Sequence, residues 1–406
     1  MGNASAAGSA ASTSSASEVQ ASGRRSAIVQ YSAAVFLFWV GLYLYVPTLP
    51  TYVATKTNDL ATVGVILSMY GLWQAIIRLP LGIVSDWLGR RKPFIIAGFF
   101  LVGLGAYVMG ASESTTGMLI GRAISGLAAG TWVPLVVVFS GLFPPRDAVR
   151  ASALLNLVGS VARMLSTGIT GSLNNIGGYS LAFYLATGAA GLAILIILPG
   201  RETVRPPRHV SMQSIVKLVS RRDVLLPTLL STVGQYVNWA TTFGFIPILA
   251  RELGATDVMQ SLLVSMNVAV LTLGNFLATT VVRRTGARTL IYISFIAMFL
   301  GALGASLAPT LAMVFLVQFF IGFAQGMSYP VLMGLSIRDV SDEERATAMG
   351  FHQAVYAIGM FGGPALSGLI ADALGMRPMF AITGVACLFL GLLGARFLAG
   401  KQQDSH

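Results

Sequence analysis

Charged residues are scarce in this chain of 406 amino acids. Asp, Glu, Lys and Arg make up only 10% of it, whereas a soluble domain carries about 25%. So few charges do not cover the surface of a water-soluble protein of this size. The composition therefore argues against a soluble enzyme, a disordered protein and a nucleic-acid-binding domain. The net charge of +11 needs an explanation that does not involve nucleic acid.

Several reactive groups are also rare or absent. Cys387 is the single cysteine, which excludes an internal disulfide. The three histidines, His209, His352 and His406, lack metal-ligand spacing. The sequence has no G-x-x-x-x-G-K-S/T loop for ATP. Its apolar runs hold neither a nucleophile with a base nor a pair of carboxylates. We therefore expect no metal, no cofactor and no enzymatic activity.

Long hydrophobic runs dominate instead, since 55% of the residues are hydrophobic. A helix crosses the bilayer core with about 20 apolar residues, and the sequence contains twelve such runs. They predict an all-α membrane protein embedded in a lipid bilayer. The predicted spans lie near residues 28–49, 61–83, 93–112, 117–141, 150–173, 180–199, 224–248, 258–281, 289–308, 311–336, 347–371 and 378–399.

The regions outside these runs suggest a domain organisation. Residues 1–25 are mostly Ala, Ser, Gly and Thr, with almost no large apolar side chain, which predicts a disordered cytoplasmic tail. Residues 26–199 and 224–399 would each form a six-helix half. The basic segment 200–223 would be a cytoplasmic linker, and residues 400–406 a second tail.

The basic residues indicate the orientation in the membrane. Membrane proteins concentrate Lys and Arg in their cytoplasmic loops. With a cytoplasmic N-terminus, only Lys56, Arg251 and Arg377 fall on the outer side, and the other basic residues outside the spans fall on the cytoplasmic side. We therefore expect a multi-pass protein of the cell inner (plasma) membrane with both termini in the cytoplasm. This distribution explains the net charge without a nucleic-acid partner.

The two predicted halves repeat each other. Three residues of span 4 recur in span 10 at one offset of 196 positions, namely Gly126 as Gly322, Gly130 as Gly326 and Pro134 as Pro330. Single matches mean little in a chain rich in glycine and alanine, but a shared offset is informative. Six spans repeated in parallel orientation are typical of a transporter with a central site between two halves.

The loop between spans 2 and 3 carries a recognisable motif. The segment GIVSDWLGRRK places Gly82, Asp86, Gly89, Arg90 and Arg91 at fixed spacing. It resembles the signature loop of the major facilitator superfamily, and the resemblance extends over the whole chain after the tail. It implies the major facilitator fold, with twelve transmembrane helices in two pseudo-symmetric halves.

Two further motifs refine the resemblance. Arg122, followed by Gly126 in span 4, resembles the second family motif. Gly359, Gly363 and Pro364 in span 11 resemble the glycine-proline antiporter motif, which usually belongs to span 5. The subgroup most similar to this chain is the twelve-span drug:proton antiporters. The resemblance implies a monomeric secondary transporter that works by alternating access and exports a small-molecule substrate in exchange for protons.

The signature loop has two interpretations. Asp86 and Arg90 are four residues apart and face each other on a helical turn, and Gly89 allows a sharp turn. An exposed ion pair of this kind contributes only about 0–1 kcal/mol. Alternatively, the loop is a conformational latch that holds the acidic segment before span 11 when the cytoplasmic side is closed.

Three arginines lie within predicted spans, where each costs about 2.5–3.5 kcal/mol at mid-membrane and is a functional candidate. Arg78 is near the cytoplasmic end of span 2, so we expect its side chain to reach the interface. Arg122 and Arg163 lie deeper, on helices that line the cavity in the resembling family. Without a buried carboxylate as partner, they favour a role in binding substrate or in coupling.

Other polar and aromatic residues at mid-span either bind substrate or pack helices together. Gln325, Asn238 and Tyr236 are the candidates for substrate binding or coupling. The wider sets are Asn156, Gln235, Asn267, Asn275, Gln318 and Gln353 among the amides, and Tyr43, Trp73, Trp132, Trp239, Tyr329 and Tyr356 among the aromatics.

A proton carrier is harder to find. The spans contain no deep carboxylate, and His352, near the cytoplasmic end of span 11, has a side chain that titrates near neutral pH in water. The other interpretation is an imidazole that only packs between helices. Two alternatives to proton-coupled efflux remain open at this point: transport of an anionic metabolite through Arg122 and Arg163, and a membrane sensor that transports nothing.

Overall fold

A computed structural model describes residues 4–144, 147–200, 212–341 and 344–398. Over these residues all regular structure is helical. The first half contains α1 (Ala4–Tyr43), a 3-10 turn (Val46–Thr48), α2 (Leu49–Ala54), α3 (Leu60–Leu88), α4 (Lys92–Ala111), α5 (Thr115–Gly130), α6 (Trp132–Ser140) and α7 (Ala148–Ile197). The second half contains α8 (Met212–Val219), α9 (Arg222–Ala240), a π-helical turn (Thr241–Phe245), α10 (Ile246–Glu252), α11 (Asp257–Thr285), α12 (Ala287–Leu307), α13 (Leu311–Ile337), α14 (Arg345–Leu374) and α15 (Met376–Arg396).

Each predicted span corresponds to helical structure, which confirms the all-α membrane architecture of two six-helix halves. Within the described ranges, ten helical segments are long and apolar enough to cross a bilayer. One of them holds two spans, because α7 contains a break at Gly177 and Gly178, where φ is −140° and +69°. Only glycine adopts the second value without strain, so the chain reverses there between spans 5 and 6.

The seventh span is divided. Its helix ends at Ala240, continues as a π-helical turn over Thr241–Phe245 and resumes as α10. Pro247 has no N–H to give to the carbonyl of Phe243, four residues earlier, so an α-helical ladder cannot run through this point. The span predicted near 224–248 is therefore present as two helices joined by a π-helical turn.

Two regions outside the predicted spans also contain helix. Helix α1 begins at Ala4, whereas the sequence predicts a disordered tail over 1–25. Alanine is the strongest helix former, which explains a helical backbone in an alanine-rich segment. The linker contains the short helix α8, whose Leu218 packs with Val224, Val340 and Ala348. The second predicted tail lies outside the described residues.

The halves meet along two helix pairs, α3 with α14 and α7 with α11. Glycines make these approaches possible. A methyl group on Gly64 would overlap the carbonyl oxygen of Pro364, and one on Gly71 would overlap the backbone of Met360 and Phe361. Small residues at such sites bring helix backbones into direct van der Waals contact.

The motif glycines bring helices together inside each half. A Cβ on Gly126 would lie 2.8 Å from the Tyr70 carbonyl oxygen, so α5 is in contact with α3. One on Gly130 would overlap Ile77. In the second half, a Cβ on Gly363 would lie 2.6 Å from the Tyr236 carbonyl oxygen, and Gly359 lies against Thr232. Helix α14 is thus fixed between α9 of its own half and α3 of the other.

This packing predicts a position-dependent cost of adding one methyl group to α14. Gly359→Ala should destabilise the protein by about 1–3 kcal/mol, the usual cost of overpacking, because the Thr232 carbonyl leaves no room. Gly350→Ala is the matched control on the same helix, since nothing lies within 4 Å of its Cβ position. Thermal unfolding in detergent should separate the two variants. Equal unfolding midpoints would contradict the packing described.

Candidate functional site

A cavity of about 370 Å³ lies between the halves. Its walls combine aromatic rings with amide, hydroxyl and guanidinium groups, a composition typical of small-molecule sites. The aromatic lining residues are Trp39, Tyr43, Tyr70, Trp132, Trp239, Phe243, Phe276, Tyr329 and Tyr356. The polar ones are Gln74, Arg78, Asn156, Ser160, Arg163, Gln235, Asn238, Thr272, Asn275, Gln325 and Gln353.

The halves are joined by hydrogen bonds at the end of the bundle remote from the basic loops. Thr51 Oγ1 donates to Gln260 Oε1 at 3.0 Å, and the Gly171 amide donates to Ser261 Oγ at 2.7 Å. These bonds link the first half to α11. The glycine at 171 lies directly on the backbone of α11 at its first turn, so this end of the cavity is closed.

Asp257, at the start of α11, is the charged centre of this closed end. Its Oδ2 accepts a hydrogen bond from Asn174 Nδ2 of the first half at 2.8 Å, and its Oδ1 forms an ion pair with Arg251. Arg251 also donates to the Tyr179 hydroxyl of the first half at 2.8 Å. Charge-assisted bonds of this kind are about twice as strong as neutral ones, so they stabilise closure at this end.

A stack of aromatic rings crosses between the halves inside the cavity. Tyr70 of α3 stacks on Trp239 of α9 with ring centroids 5.1 Å apart. Phe243 lies 4.8 Å from Trp239 and 6.1 Å from Tyr43. Offset and edge-on ring pairs contribute about 0.5–1.5 kcal/mol beyond area burial, so this stack joins the halves without charged partners.

Arg122 lies behind this stack and is not a lining residue of the cavity. Its side chain is 1% exposed, and its guanidinium carbon lies 4.3 Å from the Tyr70 ring centroid and 5.9 Å from that of Trp239. Among the described residues, its Nε and Nη1 have no hydrogen-bond partner. The faces of these two rings therefore stabilise the positive charge of Arg122. A cation–π interaction that is shielded from water contributes about 2 kcal/mol or more.

Arg163 lies on the cavity wall. Its Nε donates to the Gly159 carbonyl at 3.2 Å and its Nη2 to Ser160 Oγ at 3.3 Å. The guanidinium carbon is 4.7 Å from the Trp39 ring centroid. The charge faces the cavity with neutral partners, so it can contact an occupant directly.

Arg78 lies elsewhere than the sequence predicts. It is 5% exposed and lines the cavity, so its side chain does not extend to the interface. Its Nη1 donates to the Tyr356 hydroxyl at 2.9 Å and to the Gln353 carbonyl at 3.1 Å, both on α14. Acceptors on the opposite half thus hold the side chain inside, an interaction that its position along span 2 does not reveal.

The remaining candidates divide into two groups. Asn238 and Gln325 line the cavity, and their side-chain oxygens have no partner among the described residues. Tyr236 lies between α9 and α14, where its hydroxyl is 3.4 Å from Ser367 Oγ. His352 is fully buried, with Nδ1 3.0 Å from Thr228 Oγ1. Neither Tyr236 nor His352 is a lining residue of the cavity.

The other amide and aromatic residues predicted at mid-span likewise divide into those that line the cavity and those that do not. Asn267 and Gln318 bond to each other, with Asn267 Nδ2 donating to the Gln318 carbonyl at 3.0 Å, and Trp73 is likewise outside the lining set. Sequence reasoning missed Trp39, Tyr70, Gln74 and Phe243. Of these four, only Gln74 had a signal in the sequence, because it stands four residues before Arg78 and so lies on the same helix face. In the structure Gln74 accepts a hydrogen bond from Arg78.

The proposed latch is only partly described. Helix α3 ends at Leu88, Gly89 turns with φ +61°, and α4 begins at Lys92. Gly82 faces Val133, and Arg90 is exposed. The side chain of Asp86 and the residues Asp342 and Glu343 lie outside the described part of the chain, so the contact between them stays a prediction.

Comparisons with known proteins agree with this geometry. The family model described as "Major Facilitator Superfamily" matches residues 31–233 and again residues 228–406. The two successive matches follow the internal repeat.

Two curated relatives match over most of the chain. "Tetracycline resistance protein, class H" of Pasteurella multocida is 26% identical over 336 residues, which are 77% of this chain and 80% of the relative. "Quinolone resistance protein NorA" of Staphylococcus aureus is 23% identical over 368 residues, which are 87% and 92%.

Among solved structures, a bacterial homologue of the human lysosomal transporter Spinster, in an inward-facing and unoccupied conformation, matches with a TM-score of 0.77 at 15% identity. The match covers 92% of this chain and 97% of that one. At such low sequence identity, the match is evidence only for a shared fold. The repeated family match over nearly all of the chain decides the family: this protein belongs to the major facilitator superfamily, whose members are membrane transporters and not enzymes.

Proposed function

We propose that this transporter exports a small amphiphilic compound in exchange for protons, by exposing its central cavity alternately at the two ends of the bundle. One observation carries the proposal: a cavity with aromatic and amide walls lies between two halves that are hydrogen-bonded at one end. A rocking motion of the halves would open the closed end and close the other.

The kind of substrate follows from the lining and is supported by the relatives. Nine aromatic side chains and a few polar groups suit a compound with both an apolar body and polar substituents. The two resistance proteins are named for tetracycline and for quinolones, which are the first compounds to test. Both relatives cover most of this chain, so the proposal extends to the whole transporter.

The proposed orientation places the basic loops in the cytoplasm. In this orientation the hydrogen-bonded end of Asp257 and Asn174 faces outward, and the cavity faces inward. The loop from Gly82 to Arg91 would then act as a cytoplasmic latch when the inner side closes, with Asp86 and Arg90 as its charged members.

His352 is the proposed proton carrier. Its Nε2 has no partner among the described residues, and its ring lies 5.9 Å from that of Tyr356 and 6.5 Å from that of Tyr329. Both tyrosines line the cavity. A proton would therefore reach the imidazole from the cavity past these two hydroxyl-bearing rings.

A second candidate function is transport of an anionic metabolite. Two arginines, Arg78 and Arg163, line the cavity, and no Asp or Glu does so among the described residues. Arg122 adds a third positive charge, which is buried behind the wall. An anion would lower the electrostatic cost of these guanidinium groups in a low-dielectric interior.

The orientation and the open side predict the labelling of introduced cysteines. Asn156→Cys lies on the cavity wall and is exposed, whereas the native Cys387 is 1% exposed and should not react. A membrane-impermeant maleimide should label residue 156 in inside-out vesicles and leave it unlabelled in right-side-out vesicles. The reverse pattern would contradict the proposed orientation or the open side.

The proton role predicts uncoupling by His352→Gln. In proteoliposomes, wild-type protein should accumulate tetracycline or a quinolone when a pH gradient is imposed. The amount of drug accumulated by His352→Gln should be lower by a factor of about ten or more. Exchange of labelled for unlabelled drug without a gradient should persist in the variant, which controls for folding and binding. Undiminished proton-driven accumulation by the variant would remove His352 from the mechanism.

A further inference from the structure

We propose that Arg163 binds the carboxylate of an aromatic substrate, through the edge of its guanidinium that carries Nη1. The inference rests on the proposed transport of an amphiphilic compound. It adds to that function the chemical class of the substrate and the residue that recognises its charge. It also assigns different roles to the two arginines of the cavity wall, Arg163 and Arg78.

The guanidinium of Arg163 has one free edge. Its Nε donates to the Gly159 carbonyl and its Nη2 to Ser160 Oγ, so its own helix, α7, occupies the side-on pair of donors. Nη1 has no hydrogen-bond partner among the described residues and, unlike Nε of Arg78 and of Arg122, it is not buried. A planar pair of guanidinium donors fits a carboxylate. The end-on pair, Nη1 with the second hydrogen of Nη2, is therefore available without the loss of any existing bond.

Aromatic rings hold this guanidinium in position. Its carbon lies 4.7 Å from the Trp39 ring centroid and 5.9 Å from that of Tyr43. A guanidinium that stacks on a ring uses its face for the contact and keeps its donors at the edge. These two rings and the two acceptors on α7 all belong to the first half, so the site stays intact when the halves move.

Arg78, the other arginine of the wall, has no free donor to offer. Its Nη1 donates to the Tyr356 hydroxyl at 2.9 Å and to the Gln353 carbonyl at 3.1 Å, and its Nη2 donates to Gln74. Its Nε lacks a partner in the described part of the chain but is buried. Every nitrogen of Arg78 is thus either bonded to the protein or buried, so this side chain joins the halves while Arg163 meets the occupant.

The charge of Arg163 favours an anionic group over a cationic one. No Asp or Glu lines the cavity within the described ranges, and none of the salt bridges found there includes Arg163. Its acceptors are a carbonyl and a hydroxyl, which leave the positive charge without a counterion. A carboxylate would supply that counterion and form charge-assisted hydrogen bonds, which are about twice as strong as neutral ones.

Trp132 determines the apolar part of the ligand. Its half-buried ring lines the cavity, and its centroid lies 5.0 Å from that of Trp39, the ring on which the guanidinium stacks. An aromatic ring packed on Trp132 therefore has its carboxylate close to Arg163, and ring pairs of this kind stabilise each other. The ligand class is thus an aromatic carboxylate, with its ring on Trp132 and its charge at Arg163.

A direct contact and a general attraction of anions predict different results for two matched substitutions. If only the total positive charge of the cavity matters, Arg163→Gln and Arg78→Gln should weaken carboxylate binding equally. If Arg163 holds the carboxylate, Arg163→Gln should weaken it far more, because water and ions in the cavity screen a charge that makes no contact. Arg163→Lys keeps the charge but lacks the planar pair of donors, so its effect should lie between those of the two glutamine variants.

Calorimetric titration of the purified full chain in detergent, with naphthoate and with its neutral analogue naphthamide, tests the proposal. Protein-free micelles serve as the blank. Wild-type protein should bind naphthoate more tightly than naphthamide. Arg163→Gln should weaken naphthoate binding by about tenfold or more, as for loss of a charge-assisted hydrogen bond, and leave naphthamide binding nearly unchanged. Trp132→Leu should weaken the binding of both probes by a similar factor, because it removes the ring contact and not the charge.

Four results would overturn the proposal. These are equal wild-type affinity for the two probes, an unchanged preference for naphthoate in Arg163→Gln, an equal loss in Arg78→Gln, and unchanged binding of both probes by Trp132→Leu. If Arg163→Gln fails to fold, Arg163→Lys replaces it, and an unchanged preference in that variant is equally contradictory. Since binding is measured without transport, drug accumulation without any anion preference removes only this inference, and anion preference without transport removes only the proposed function.

Discussion

The direct contact between the backbones of α3 and α14 is the constraint on which the rest of the structure depends. Gly64 and Gly71 leave no space for a side chain between the two helices, so Pro364 and Met360 lie against the first half. Helix α14 is equally close to α9 through Gly359 and Gly363.

The same contact explains how a charged interior is tolerated in a membrane. Arg78 can be buried because α14 brings a hydroxyl and a carbonyl within hydrogen-bonding distance. Arg122 is buried against the faces of Tyr70 and Trp239, rings that belong to different halves. Both positive charges are thus stabilised by groups that come from both halves.

Much of the fold was predictable, because spans depend on the local composition. Twenty apolar residues in a row have few alternatives in a bilayer, and the repeat offset identified the two halves. The reversal at Gly177–Gly178 falls between two predicted spans, and its glycines are visible in the sequence, whereas the π-helical turn before Pro247 lies inside a predicted span and divides it.

The site was less predictable, because it depends on long-range partners. Arg78 stands near the end of its span, and the sequence cannot indicate that Tyr356 of the other half accepts a hydrogen bond from it. Asn174 and Asp257 likewise meet across the halves, although 83 positions separate them in the chain. By contrast, Arg163, Asn238 and Gln325 were recognisable as polar residues at mid-span, where only a cavity or a partner helix tolerates them.

The central claim is that the two halves move as rigid bodies about the α3–α14 contact, so that one end opens as the other closes. Distances between spin labels on cysteines test it most directly. Asn58 and Thr310 report the end remote from the basic loops, and Trp87 and Arg284 the basic end, all at exposed positions. On changing pH or adding tetracycline or a quinolone, the account predicts that one distance lengthens while the other shortens. Changes of the same sign at both ends, or no change at either end, would contradict it.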